Sequence, residues 1–142
     1  MALYCSSKFA LESIADAYRS ELAPFGIDSV VVEPGAFRTP IFEKPFFAAE
    51  RAVEQEYGER DYSRRIHQTF QAVLSDPATP PASAVAESFL RLIETPAGQR
   101  PFRTHVGVGT EFLEPYNQMA EQIRQGTAEY FNIKETLTLN GR

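Results

Sequence analysis

A tyrosine and a lysine near the start of the chain could form an acid/base pair. Tyr4 and Lys8 are four residues apart, so a helix places them on one face, one turn from each other. A free tyrosine releases its proton reluctantly at neutral pH, and a nearby ammonium favours the phenolate. Tyr4 is therefore a candidate acid/base group, and Lys8 is its electrostatic activator. The alternative is an interfacial tyrosine beside a solvated lysine, because this spacing alone is a weak motif.

The element that must position this pair is a helix predicted over residues 3–23. Four residues at helical spacing form an apolar stripe, and four polar residues fall on the opposite side. In this chain alone, the stripe is expected to lack part of the surface that it covers. The stripe consists of Leu11, Ile14, Tyr18 and Leu22, and the polar side of Glu12, Asp16, Arg19 and Ser20. Pro24 and Gly26 are expected to end the helix.

A strand is predicted next, over residues 27–33. Its centre, Val30 to Val32, is an unbroken β-branched run, which is typical of a parallel strand covered on both faces. Pro34 and Gly35 end the strand. Ligands of open α/β sheets bind just beyond the carboxyl ends of strands, where Pro34 to Thr39 would lie. An ordinary turn from strand to loop is the alternative.

The order and spacing of these segments resemble the C-terminal half of a short-chain dehydrogenase/reductase. The similarity rests on the Tyr-x-x-Ser-Lys helix, the valine-rich strand, the Pro-Gly-x-x-x-Thr turn and a last strand near 100–107, and it covers residues 1–45 and 82–109. It implies an α/β fold, namely part of a doubly wound, Rossmann-like parallel sheet with about two strands and flanking helices. The single domain would comprise a catalytic helix and cofactor-edge strand (1–39), a substrate lid (40–80), and a last helix–strand unit with a C-terminal helix and tail (81–142).

The same resemblance implies hydride transfer between NAD or NADP and a small-molecule alcohol or carbonyl compound. Tyr4 would exchange the proton, and Lys8 would also bind the nicotinamide ribose. Pro34, Gly35 and Phe37 would border the nicotinamide through their backbones, and Thr39 would bind its carboxamide or the pyrophosphate. Phe42 and Phe46 are candidate substrate contacts, or they fasten the lid to the body. The family pattern also implies a homo-oligomer in the complete enzyme.

The glycine-rich phosphate turn of that family is not found in this sequence, nor is its Asn-Asn-Ala-Gly element. We therefore expect the C-terminal half of an enzyme, beginning at an internal methionine or cut there, and inactive alone. The alternative is a non-enzymatic module that retains only a helical oligomerisation surface. An in-frame glycine-rich turn upstream of Met1 would favour the enzyme.

Composition is that of a globular, cytoplasmic protein. The chain has 142 residues, is 43% hydrophobic and carries a net charge of −5 with scattered signs, which argues against nucleic-acid and membrane partners. The single cysteine, Cys5, suits a reducing compartment; it is expected to be a small buried residue, with a reactive thiol as the alternative. His67, expected to be exposed, and His105, expected to be structural, lack partners at metal-ligand spacing, so no metal site is predicted.

The remaining segments are predicted from helical spacing and breakers. One or two surface helices are expected within 50–65, a proline-rich stop at 76–81, and a helix from Ser83, the expected N-cap, to about residue 94. The apolar residues of this helix that recur at helical spacing are Val85, Phe89, Leu92 and Ile93. A strand over 102–108, a helix over about 111–125 and a weakly patterned tail complete the chain.

Overall fold

The computed structural model describes residues 2–40, 56–60 and 62–139. Its α-helices are α1 (Ala2–Leu22), α2 (Ser63–Ser75), α3 (Ser83–Glu94) and α4 (Leu113–Tyr130). Its strands are β1 (Val31–Pro34) and β2 (Arg103–Val106). Short 3-10 turns lie at Ala23–Phe25, Gly58–Arg60 and Lys134–Leu137.

The two strands form a parallel sheet in which Val31 pairs with Arg103 and Pro34 with Val106. Side chains alternate along a strand, so Glu33 and Arg103 project to one face, where α1 and α4 supply their partners. Helix α3 contacts both strands. This is the predicted α/β architecture, a parallel sheet flanked by helices in a partial Rossmann-like arrangement.

Strand β1 starts four residues later than the valine pattern predicts. Asp28 and Ser29 precede it, and their side chains contact α1 instead of extending the sheet. Ser29 Oγ donates a hydrogen bond to the Ala15 carbonyl at 3.2 Å, and Asp28 pairs with Arg19. These contacts fasten the end of α1 to the start of the strand.

Helix α1 matches its predicted span, and Gly26 ends its following turn with φ +74°. Leu11, Ile14 and Tyr18 of the apolar stripe are 50–61% exposed, so no described residue covers this side of α1. The polar side faces the protein body. Glu12 reaches Arg103 of β2 at 3.1 Å, and Arg19 pairs with Asp28.

Helix α3 has its predicted span, but Ser83 is not its N-cap. Ala82 occupies that position without a side-chain cap, and Ser83 is the first helical residue. Ser88 and Leu92 are the buried residues of α3, whereas Phe89 and Ile93 are exposed. The buried serine is satisfied locally, since its hydroxyl donates to the Ala84 carbonyl at 3.0 Å.

The other helices differ from prediction mainly in length. Helix α4 starts at Leu113 and continues to Tyr130, five residues past the expected end. Helix α2 (Ser63–Ser75) overlaps the predicted surface segment only at residues 63–65, and it ends where the proline-rich stop was predicted. Residues 50–55 and 61 of that predicted segment lie outside the described residues. The tail is more ordered than its pattern indicates, because the turn Lys134–Leu137 contacts α1 and α4. Among the described helices, none combines the length and apolar character that a bilayer span requires.

Candidate active site

The structure brings Tyr4 and Lys8 together on the first turns of α1. Lys8 Nζ lies 5.5 Å from the centroid of the Tyr4 ring. Tyr4 is 55% exposed and Lys8 is also exposed, so both functional groups are open to a ligand. Ser7 donates its hydroxyl proton to the Tyr4 carbonyl at 2.7 Å, which is a bond within the helix. The arrangement offers a phenol and an ammonium to the same ligand.

Cys5 is exposed, which contradicts the expectation of a buried residue. Residues 2–10 of α1 are all exposed, so no described part of the chain covers the start of this helix. The Cys5 thiol therefore lies at the same exposed end of α1 as Tyr4.

The loop after β1 is fixed by backbone hydrogen bonds at three positions. Gly35 N–H donates to the Val106 carbonyl at 2.8 Å. Ala36 and Val108 exchange two bonds, of 2.9 and 3.3 Å. Arg38 N–H donates to the Pro80 carbonyl at 3.2 Å. The loop is therefore a rigid edge at the carboxyl end of the sheet, where the family resemblance places the nicotinamide.

Two glycines allow this edge to form. A Cβ on Gly35 would overlap the Val108 carbonyl oxygen and lie 2.6 Å from Thr110 Cγ2. Gly107 has φ +103°, and a Cβ there would lie 2.6 Å from the Phe37 ring. Each glycine thus permits a backbone approach that any side chain would block.

The turn from Gly107 to Thr110 is a supporting element that the sequence analysis missed. Thr110 is buried and donates its hydroxyl proton to the Gly107 carbonyl at 2.8 Å. The available indication was Gly-x-Gly directly after a predicted strand, a pattern typical of a tight turn. The partner of that turn, residues 35–37, could not be identified without the sheet register.

The predicted cofactor residues lie in two settings. Pro34 and Thr39 are exposed, whereas Phe37 as a whole residue is only 6% exposed. Phe42 and Phe46, the predicted substrate contacts, lie outside the described residues. The roles of all these residues remain predictions.

A mostly apolar cleft of about 480 Å³ adjoins the loop. Its floor includes Ala36 and Val108, and α2 supplies Ile66, Phe70 and Val73. The sequence analysis did not select these helix residues, although their spacing of four and three places them on one face. The cleft can hold the apolar part of a ligand next to the loop that follows β1.

A second polar cluster lies between β1 and the helices α1 and α4. The Glu33 side chain is 8% exposed and accepts a 2.7 Å hydrogen bond from Asn117 Nδ2. Arg103 Nε lies 3.1 Å from a Glu12 oxygen and 4.0 Å from a Glu33 oxygen. Burial raises the pKa of Glu33, the Asn117 bond opposes that shift, and the neighbouring Glu12 adds to it.

The two histidines lie apart from the tyrosine–lysine pair in the chain. His105 is in β2 as predicted, with Nδ1 at 3.7 Å from a Glu114 oxygen. His67 is partly buried rather than exposed, because it sits on α2 beside Ile66, which lines the apolar cleft.

Comparison with known proteins adds to this geometry. A sequence model of the family described as short chain dehydrogenase matches residues 1–48. Retinol dehydrogenase 5 of Mus musculus is 36% identical over 85 residues, covering 52% of this chain and 27% of the relative. The 3beta-hydroxysteroid dehydrogenase dhs-16 of Caenorhabditis elegans is 29% identical over 98 residues, covering 63% of this chain and 25% of the relative.

A third relative is bacterial. The NADPH-dependent 3-dehydrocapnine reductase of Ornithobacterium rhinotracheale is 41% identical over 56 residues, covering 39% of this chain and 20% of the relative. The chain spans about a quarter of the length of these curated relatives.

Proposed function

Because the chain belongs to the short-chain dehydrogenase/reductase family, we propose that it carries the catalytic pair and cofactor edge of an NAD(P)-dependent oxidoreductase. The observation that supports this most is the placement of Tyr4 and Lys8 one turn apart, with both groups exposed. The rigid loop after β1 supplies the second half of the site. In the full-length protein the two would act on one alcohol or carbonyl carbon.

The residues present fit a nicotinamide cofactor. Pro34 and Thr39 are exposed at the carboxyl end of β1, where ligands of open α/β sheets bind. NAD or NADP, when bound, supplies or accepts the hydride. Backbone groups of Pro34, Gly35 and Phe37 border the nicotinamide, and the Thr39 hydroxyl binds the carboxamide or the pyrophosphate.

Proton transfer is the task of α1. The Tyr4 hydroxyl gives its proton to a carbonyl oxygen, or accepts one from an alcohol, as the substrate is reduced or oxidised. The Lys8 ammonium stabilises the phenolate electrostatically and donates hydrogen bonds to the ribose hydroxyls of the cofactor. The cleft beside Ala36 excludes water from one side of the reacting carbon.

The substrate class that this site supports is an apolar alcohol or its carbonyl product. The cleft is lined mostly by apolar groups, although Arg65 and Thr69 of α2 also line it, and this lining suits a hydrocarbon body. Two relatives are named for retinol and for a 3beta-hydroxysteroid. We therefore place a predominantly apolar substrate between α2 and the loop after β1.

Oligomerisation and location complete the proposal. The exposed apolar residues Leu11, Ile14 and Tyr18 of α1 support association of the full-length protein into a homo-oligomer. The exposed thiol of Cys5 suits the reducing cytoplasm. The same apolar face favours the second candidate, a module that retains association but lacks catalysis, and one experiment separates the two.

The test is Tyr4→Phe in the full-length enzyme, assayed with NAD and NADP on apolar alcohols. The ring and its packing remain while the proton donor is lost, so we expect turnover to fall roughly 10²–10⁴-fold with an unchanged melting temperature. Tyr18→Phe is the matched control, because Tyr18 is a similarly exposed tyrosine of the same helix. Equal turnover of the two variants would contradict the assignment, and an inactive wild type would favour the non-catalytic module.

A further inference from the structure

The helix that carries Tyr4 and Lys8 is joined to the sheet by a side chain one turn further along. Residues 2–11 of α1 are exposed, and Glu12 is the first residue of the helix that the body partly covers. Glu12 Oε2 lies 3.1 Å from Arg103 Nε on β2, so a charge-assisted hydrogen bond connects α1 to a strand. Glu12 follows Lys8 by four residues, which places this bond one helical turn from the candidate acid/base pair.

One other contact of α1 lies closer to the pair, but it is open to solvent. The rings of Phe9 on α1 and Tyr116 on α4 meet edge to face, with their centroids 6.4 Å apart. Phe9 is 63% exposed and Tyr116 is 49% exposed, so water reaches much of both rings. By contrast, the side chain of Arg103 is 8% exposed and that of Glu12 is 25% exposed. A hydrogen bond in this drier setting holds its geometry more strictly than the exposed ring contact does.

Arg103 is itself held in place by neighbours other than Glu12. Its guanidinium carbon lies 4.6 Å from the centroid of the Phe102 ring, and its Nε lies 4.0 Å from a Glu33 oxygen on β1. Glu33 in turn accepts a 2.7 Å hydrogen bond from Asn117 of α4. Since β1 and α4 restrict the guanidinium independently of α1, the bond to Glu12 sets the position of α1 and not that of Arg103.

Strand β2 also holds the loop that follows β1. Three residues after Arg103, the Val106 carbonyl accepts the Gly35 N–H at 2.8 Å. The strand thus supports both the bond to α1 and the backbone edge proposed to border the nicotinamide. A shift of α1 at Glu12 therefore changes the distance between the Tyr4 hydroxyl and that edge.

We propose that Glu12 is a positioning residue of the candidate active site, which sets the tilt of α1 through Arg103 and so places the Tyr4 hydroxyl. The inference rests on the proposed redox function and adds a residue to it. Tyr4 precedes Glu12 by eight residues, about 12 Å along the helix axis, so a tilt of about 5° moves Tyr4 by about 1 Å. A misplacement of about 1 Å at a reacting group can cost roughly 10²-fold in rate.

The experiment is a double-mutant cycle in the full-length enzyme, with kcat measured at saturating cofactor for Tyr4→Phe, Glu12→Ala and the double variant. We expect Glu12→Ala to lower kcat about 10–100-fold with the fold retained, because Arg103 keeps Glu33 as a carboxylate neighbour. In the Tyr4→Phe background the same substitution should cost less than about twofold, because the hydroxyl that Glu12 places is already absent. A role in stability alone would lower kcat by the same factor in both backgrounds.

Three further variants complete the experiment. Glu12→Gln keeps an acceptor of the same length for Arg103, so its kcat should lie within about fivefold of the wild type. Glu21→Ala removes an exposed carboxylate of the same helix and, as the matched control, should leave kcat unchanged. Melting temperatures show whether each variant folds. Glu12→Asp, which is one methylene shorter, replaces Glu12→Ala in the cycle if the alanine variant does not fold.

The outcomes separate this inference from the function on which it rests. A wild-type kcat in Glu12→Ala, equal losses in Glu12→Ala and Glu12→Gln, or equal losses in the two backgrounds would overturn the positioning role and leave Tyr4 as the acid/base group. Unchanged turnover in Tyr4→Phe alone would overturn the proposed function, and the positioning role with it.

Discussion

Substituting Gly35 by alanine tests whether the edge after β1 depends on close backbone contact. The added methyl carbon would overlap the Val108 carbonyl oxygen and lie 2.6 Å from Thr110 Cγ2. Neither contact is tolerable, because non-bonded carbon atoms settle near ~3.5–4.0 Å. The end of β1 and the turn from Gly107 to Thr110 must therefore separate.

The cost can be estimated from what that separation breaks. Overpacking a close-packed site costs about 1–3 kcal/mol. Loss of the two Ala36–Val108 hydrogen bonds, of 2.9 and 3.3 Å, adds about 0.5–1.5 kcal/mol each. We therefore expect Gly35→Ala to lower the unfolding free energy of the full-length protein by about 2–6 kcal/mol. We also expect weaker cofactor binding, since the displaced loop forms the proposed nicotinamide edge.

Denaturant unfolding followed by circular dichroism measures the first effect, and Gly126→Ala is the matched control. Gly126 lies in α4, where an added Cβ meets no described atom within 4 Å. Alanine there should stabilise by about 0.5–1 kcal/mol through helix propensity. Thr110→Ser in the Gly35→Ala background should recover part of the loss, because it removes one of the two clashes. Equal effects of the two glycine substitutions would refute the close-contact argument.

Three further predictions concern the charged groups and the isolated chain. Lys8→Met should lower both turnover and cofactor affinity, because the ammonium is proposed to stabilise the phenolate and to bind the ribose; an unchanged cofactor affinity in a binding assay would remove the ribose contact. Burial raises the pKa of Glu33, so its stability contribution is present below the unfolded pKa and falls as pH rises through the folded one. The unfolding free energy of Glu33→Gln should therefore depend less on pH than that of the wild type. Glu129 is exposed and its pKa is lowered by the Lys134 bond, so Glu129→Gln should not reduce the pH dependence in this range. The 142-residue chain alone should not bind NAD or NADP in calorimetry, because its sequence has no glycine-rich phosphate turn; micromolar binding would contradict this.

The face of α1 that packs on the sheet was not predictable from hydrophobic periodicity. The pattern separates an apolar side from a polar side; in the structure Leu11, Ile14 and Tyr18 are exposed, and Glu12 and Arg19 contact the body. Arg103, the partner of Glu12, is distant in the chain, and Asp28, the partner of Arg19, lies in a loop without a periodic pattern. Ion pairs between distant residues carry no periodic signature, so only the tertiary structure shows which face is covered.

The sequence by itself determined the local features of this protein. Four-residue spacing put Tyr4 and Lys8 on one face of a helix, Gly26 ended the following turn, and valines gave a parallel strand that stops at Pro34. Each depends on backbone geometry within a few residues, which local chemistry sets. The tertiary structure alone decided that the turn from Gly107 to Thr110 supports Gly35, and that Arg19 and Arg103 meet over the Phe102 ring. Those contacts join residues distant in the chain, and the register between β1 and β2 that aligns them is a property of the assembled sheet.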